Sequence, residues 1–188
     1  AMDEIDPTIF IYGEGWTAGD SPLPYEERAV KQHVSRMPGI AVFSDDIRDG
    51  LKGSWANAKE PAFAAGYQGY DETIKFSVVA ATEHDSIHYG LVKYVNFPYA
   101  AEPSQVINYV SCHDDLCLVD KINYSSPYGA TPLEKRKFNR ISQSIVFLSQ
   151  GVPFIYAGEE LMRNKKGVHN TYQSPDSINQ IDWNFKKT

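Results

Sequence analysis

Val106-Ile107-Asn108-Tyr109-Val110-Ser111-Cys112-His113-Asp114-Asp115 runs from a short apolar, β-prone segment straight into a histidine and two carboxylates. A run of this length reads as a buried strand, Gln105 to Ser111, that delivers its acids at the C-terminal end. The same design occurs earlier. Thr8-Ile9-Phe10-Ile11-Tyr12-Gly13-Glu14-Gly15-Trp16 is an apolar strand, Thr8 to Gly13, ending on a glutamate held between glycines and followed by tryptophan. Glycine there lets the backbone turn sharply and lets a ligand approach closely. Acidic residues at the C-terminal ends of strands are what α/β barrels build active sites from.

Outward from these two stretches, Gly39 to Ser44 is a further strand followed by Asp45-Asp46, and Val152 to Ala157 is another, followed by Gly158-Glu159-Glu160. Glu159 and Glu160 read as helix-start acids stabilised by the N-terminal dipole. A polar helix is expected near Tyr25 to Met37, stopped by Pro38-Gly39. Ile47 to Glu72 is a Gly-rich excursion with short helices. Glu72 to Ala81 fits either a helix or a strand, and Ser86 to Val95 is equally open. The best-marked helix starts at Thr131-Pro132-Leu133-Glu134, a capping box with proline at the first helical position, and stops at Gly151. Phe138, Ile141, Ile145 and Leu148 recur at helical spacing and mark its expected buried face. The tail from Gly167 to Trp183 is polar and turn-prone. Strands alternating with helices imply parallel pairing through crossovers. Four such strands make an α/β fold equal to half of an eight-stranded barrel.

The 188 residues are 42% hydrophobic and 22% charged, ordinary for a globular chain and compatible with one domain. A net charge of −6 excludes a nucleic-acid surface, which needs clustered Lys and Arg. Lys135-Arg136-Lys137 lies on the expected helix as a solvated face, and Arg163-Asn164-Lys165-Lys166 on a loop. No apolar run approaches the roughly 20 residues of a membrane span, and Ala1-Met2-Asp3-Glu4 does not begin a signal peptide. Cys112 and Cys117 are too few for a zinc site unless histidine supplies the other ligands, and no second histidine follows His113 at finger spacing. Two free, buried thiols are expected, with no metal and no cofactor. The 12 Tyr and 3 Trp suit either core filling or surfaces that stack on flat sugar faces.

An acid beside an aromatic ring at one strand end and a His-Asp pair at another suit cleavage of a glycosidic bond, which runs on two flanking carboxylates. Several segments carry a narrower likeness. Tyr12-Gly13-Glu14-Gly15-Trp16 and the stretch Met37-Pro38-Gly39-Ile40-Ala41-Val42-Phe43-Ser44-Asp45-Asp46-Ile47-Arg48-Asp49-Gly50-Leu51-Lys52-Gly53-Ser54 resemble the type I pullulanases, debranching enzymes of the α-amylase superfamily. Asn108 to Asp114 is similar to that superfamily's strand-seven motif, and Gly151 to Glu160 to its strand eight. Asn170 to Asp176 and Asn179 to Trp183 resemble the pullulanase segment downstream of strand eight.

The resemblance implies a (β/α)8 TIM-type barrel of which residues 1–188 are one partial catalytic domain, its C-terminal half, strands five to eight. It implies a retaining hydrolase of α-1,6-glucosidic linkages in pullulan, starch or glycogen. Glu14 would be the general acid/base and Asp114 the transition-state stabiliser. His113 would bond the same sugar, Trp16 would be a stacking platform, and Tyr172 and Asp176 would line the cleft. Pullulanases commonly carry Asn where this chain has Asp115. The family's nucleophile lies in an Arg-x-Asp motif on strand four. No such motif precedes Glu14, and neither Asp3 nor Asp6 ends a strand, so the chain is expected to be inactive alone and to self-associate through open barrel edges. The partner class is an α-glucan. Calcium in the parent is not readable from these residues, and the size of the substrate points to an extracytoplasmic parent. The alternatives are an α-1,4-acting amylase or branching enzyme, a non-catalytic glucan binder using Trp16, Trp55 and Tyr172, and an unrelated α/β protein.

Overall fold

The computed structural model describes residues 2–184. After a one-turn helix α1 (Met2–Ile5), the strands β1 (Ile11–Gly13), β2 (Ile40–Ser44), β3 (Val106–Asn108) and β4 (Val152–Pro153) lie side by side in that order in one sheet. Every neighbouring pair is parallel: Ile11 faces Ile40, Val42 faces Val106, and Ile107 faces Val152. Parallel neighbours need crossovers. Helices α2 (Asp45–Lys52) and α3 (Asp71–Val78) join β2 to β3, and α4 (Leu118–Ser125) and α5 (Pro132–Leu148) join β3 to β4. A short α6 (Asp176–Asn179) comes after β4. All four C-terminal strand ends therefore meet at one rim.

The ladders are shorter than the apolar runs. Tyr109 and Val110 lie beyond β3 yet are buried, so hydrophobicity marks burial rather than pairing. Alternation along the strands sends side chains to two clusters. Val42 and Val106 pack with Val34, Phe76 and Tyr99 on one face. Ala41, Phe43, Ile107 and Tyr109 form the other, with Val152 and Phe154 at its margin. Here the Phe43 ring meets Tyr109 edge-on at 4.9 Å and Phe154 at 5.3 Å, an aromatic floor under the rim.

Several expectations need correction. Tyr25 to Met37 is not one helix but two 3-10 turns, Tyr25–Glu27 and Lys31–Arg36. Arg28 turns its guanidinium back onto the Leu23 and Ser21 carbonyls at 2.8 and 3.3 Å, and Val30 is extended. The Ile47 to Glu72 excursion carries short helices as expected, beginning with α2, which starts at Asp45 because Ser44 caps it by accepting from the Ile47 N–H at 3.3 Å. Glu72 to Ala81 resolves as helix α3, whereas Ser86 to Val95 contains only the 3-10 turn Tyr89–Leu91. Helix α5 forms with its capping box intact, and Phe138 and Ile145 pack against the core as expected, but its most buried residues are Asn139, Ser142 and Val146. Ile141 and Leu148 are 42% and 84% exposed, since α4, the Phe63–Ala65 turn, α2 and α3 cover only one side of α5. Trp16 and Trp183 are exposed rather than core. Among the described residues no helix is long and apolar enough to cross a membrane.

Candidate active site

At the end of β1 the chain turns so that Glu14 is exposed and Trp16 faces a cleft of about 440 Å³ at the rim. The turn depends on Gly15. Its φ is +76°, and a Cβ there would lie 2.9 Å from Val42 Cβ and Cγ1. Gly13 has no such constraint, since a Cβ added to it would meet nothing within 4 Å. The Gly15 carbonyl accepts the Lys31 N–H at 2.6 Å, tying the acid's loop to the wall of the sheet.

The next wall comes from the start of α2, where Asp45 and Arg48 face the cleft with Trp55 from the loop beyond. Lys31 is buried between the carboxylates of Asp45 and Asp46, and burial lowers the pKa of its ammonium group even though Asp46 opposes the shift. Arg48 is buried too. It donates to both oxygens of Asp49, at 2.6 and 3.2 Å, and to the Tyr109 hydroxyl at 2.9 Å. Burial opposes its charge, but the Asp49 and Tyr109 contacts outweigh that and raise its pKa. The cleft thus has a fixed positive charge beside its acids.

The third wall is the loop after β3, which places Asp114 and Asp115 in the cleft lining. Ser111 closes this loop: its hydroxyl accepts from the Leu118 N–H at 2.8 Å and donates to Glu159 at 2.5 Å. Helix α4 is capped at Cys117, so neither Asp114 nor Asp115 serves as its cap. Asp115 has φ +55°, a left-handed position that Asn and Asp tolerate better than most residues. Its N–H donates to Asn170 Oδ1 at 2.8 Å, and its carboxylate lies 3.3 Å from His169 Nδ1. The departure from Asn at this position is accommodated because the extra charge has its own partner. Behind it, Asp120 accepts from the Lys165 and Gly167 N–H groups at 2.6 and 2.9 Å, and Lys165 Nζ donates to Thr171 at 2.5 Å. The 165–171 loop is thereby held against the Asp114 loop.

Cys112 is half-buried and free. Burial raises its thiol pKa, and the negative charges of Asp114 and Glu14 act in the same direction. Cys112, His113 and Asp114 each present one donor atom, all within 4.8 Å of one another. His113 is exposed. Cys117, by contrast, is buried, donates to Asp120 Oδ2 at 2.9 Å, and has its pKa pushed up to about 12, chiefly by burial.

Of the residues singled out from sequence, Trp16 and Asp114 line the cleft, while Glu14 and His113 are exposed and do not belong to its lining. Tyr172 is 80% exposed, and Asp176 opens α6; neither belongs to the lining, which takes Asn170 from that segment instead. Asp45, Arg48 and Asn170 were given no role from sequence. The available signal was Asp45-Asp46 directly after an apolar strand, the same pattern that marked Glu14 and Asp114. Glu159 opens the 3-10 turn Glu159–Leu161, in keeping with a helix-start acid, but its environment is the core. It is buried, Oε2 has no hydrogen-bond partner, and its pKa is pushed up to about 7 by burial, against the Ser111 bond and the charge of Lys52. Glu160 does play the local part, accepting from the Gly158 N–H at 3.1 Å.

No protein-family profile matches the chain. A pullulanase of Bacillus subtilis (strain 168) is 38% identical over 182 residues, 97% of this chain and 24% of that protein. The crystal structure of apo pullulanase from Paenibacillus barengoltzii superposes with a TM-score of 0.87 at 40% identity, covering 99% of this chain and 27% of that one. The type I pullulanase from Bacillus subtilis str. 168 complexed with maltose gives a TM-score of 0.88 at 37% identity, covering 98% and 24%. The chain spans about a quarter of the length of the proteins it matches. Sequence and parallel-sheet architecture together place these residues with the type I pullulanases, in the α-amylase-type glycoside hydrolases.

Proposed function

We propose that the chain supplies strands five to eight of a (β/α)8 barrel in a retaining hydrolase of α-1,6-glucosidic linkages in pullulan, starch or glycogen. The observation that carries this reading is the convergence of Glu14 and Asp114. They leave different parallel strands at the same rim, where Asp114 and Trp16, two residues after Glu14, line one cleft. Glu14 protonates the departing glycosidic oxygen and later takes a proton from the attacking water. Asp114 holds the sugar hydroxyls as positive charge develops, His113 bonds the same ring, and Trp16 offers its face to the sugar. Tyr172 and Asp176 serve sugars further along. The Paenibacillus barengoltzii pullulanase is known in complex with maltohexaose and α-cyclodextrin, which supports an α-glucan as the ligand class.

A retaining mechanism also needs a nucleophile about 5–5.5 Å from the acid. In this proposal it comes from a strand that pairs with the outer edge of β1, so the chain is inactive alone. Phe10 and Tyr12 beside that edge, and Phe147 and Leu148 on α5, are exposed apolar groups that such neighbours would cover. Alone, the chain self-associates through them, which sedimentation over a range of concentrations would reveal. Reducing-sugar release from pullulan is the functional test. The isolated chain should give none, and in a barrel completed by its upstream strands Glu14→Gln should lower kcat roughly 10²–10⁴-fold. Turnover by the isolated chain, or full activity in that variant, would refute the assignment.

A further inference from the structure

We propose that Cys112, His113 and Asp114 form a binding site for a borderline transition-metal ion of the Zn²⁺ or Co²⁺ kind, on the loop that also carries the cleft's principal carboxylate. The three side chains offer one sulfur, one imidazole nitrogen and one carboxylate oxygen, mutually within 4.8 Å. Tetrahedral zinc bonds of about 2.0–2.3 Å put donors roughly 3.5 Å apart, so the set must close by about 1 Å, within the reach of side-chain rotation. The mixture of donors selects the metal. Calcium and magnesium require oxygen-rich shells, whereas sulfur with imidazole favours zinc, cobalt or copper.

The loop is braced for this role. Ser111 clips it to Leu118 and to Glu159, and the Asp115 N–H is held by Asn170. An ion can enter, because His113 is exposed and Asp114 and Cys112 are half-buried. The cluster supplies three donors, which leaves the fourth tetrahedral position to water. Binding replaces the thiol proton: Cys–SH plus M²⁺ gives Cys–S–M⁺ and one H⁺ released, so affinity rises with pH. Cys117 cannot substitute, since its sulfur is buried against Asp120. Occupancy would tie up Asp114 and thus exclude a sugar; only this consequence rests on the proposed function.

Titrating the chain with Co²⁺ in oxygen-free buffer tests the site directly. One equivalent should give a thiolate-to-cobalt charge-transfer band in the near ultraviolet, and Zn²⁺ should abolish it. Cys112→Ser should remove the band, and Cys117→Ser should retain it. His113→Ala, at an exposed position, should keep the band but weaken binding by at least the roughly 10–100-fold typical of lost outer-shell partners. No band in the wild-type chain, or a band that survives Cys112→Ser, would overturn the proposal. These spectra do not depend on glycosidase activity, and the Glu14→Gln assay does not depend on metal.

Discussion

Gly15→Ala should unhinge the turn that presents Glu14 and Trp16. The residue sits at φ +76°, where an alanine costs about 1–2 kcal/mol relative to glycine. The new methyl would also lie 2.9 Å from Val42 Cβ and Cγ1 and 3.4 Å from the Lys31 nitrogen. Val42 is buried in β2 with partners in β1 and β3, so it has no room to retreat. Overpacking of this kind costs about 1–3 kcal/mol. The two effects together exceed about 2 kcal/mol, equivalent to a roughly 30-fold larger opening equilibrium. Native-state hydrogen exchange is the appropriate assay, because the Lys31 amide reports the Gly15 contact through its 2.6 Å bond. Its protection should fall about 30-fold or more in Gly15→Ala. Gly13→Ala, whose methyl meets nothing within 4 Å, should leave it unchanged. Adding Val42→Ala to Gly15→Ala should relieve only the Cγ1 contact, recovering a fraction of the packing loss, and leave the Cβ contact and the backbone part. Equal protection in the two glycine variants would show that the reasoning is wrong.

Two further perturbations test the buried charges at the rim. Glu159 has its pKa raised from 4.5 to about 7, so from pH 4.5 to 7 the unfolded chain has released a proton that the native chain still holds. Stability should therefore fall as pH rises through this window, by about 3 kcal/mol in total, and level off above it. Denaturant unfolding of Glu159→Gln should lack that decline; an unchanged pH profile would rule out Glu159 as its source. Lys31→Met should cost about 3–5 kcal/mol, because Asp46, fully buried, would keep only the Tyr99 hydroxyl and the Val95 N–H at 3.2 and 3.1 Å. That corresponds to a Tm lower by roughly 6–20 °C. Adding Asp46→Asn should recover much of it, and a loss below about 1 kcal/mol would mean that the pair is solvated.

What was legible from sequence depended on which physical signal each residue carries. The strands showed themselves as apolar runs ending in polar residues, Glu14, Asp45 and the His113-Asp114 pair; burial explains the runs of β2 and β3, whereas β1 and β4 are apolar yet largely uncovered. Thr131 and Pro132 marked the start of α5 because capping is a local chemistry. Its buried face was only half legible: Phe138 and Ile145 pack on the core, but Asn139 and Ser142 are buried beside them, and polarity disguises them. Ser142 settles its hydroxyl on the Phe138 carbonyl within the helix at 3.0 Å, which lets it be buried without a tertiary partner. The same disguise hid the functional environment. Lys31, Arg48, Asp49, Lys52 and Glu159 look like surface residues in composition, yet all are buried around the rim. Asp49 is held by its neighbour Arg48, but the others are held by partners remote in sequence, such as Tyr109 for Arg48 or the Leu116 carbonyl for Lys52 at 3.0 Å. Hydropathy cannot register an ion that is buried because another element neutralises it. That pairing, rather than the acidic motifs alone, gives the cleft its charge, and it is why the variants most informative about the site are substitutions of residues that local sequence would assign to solvent.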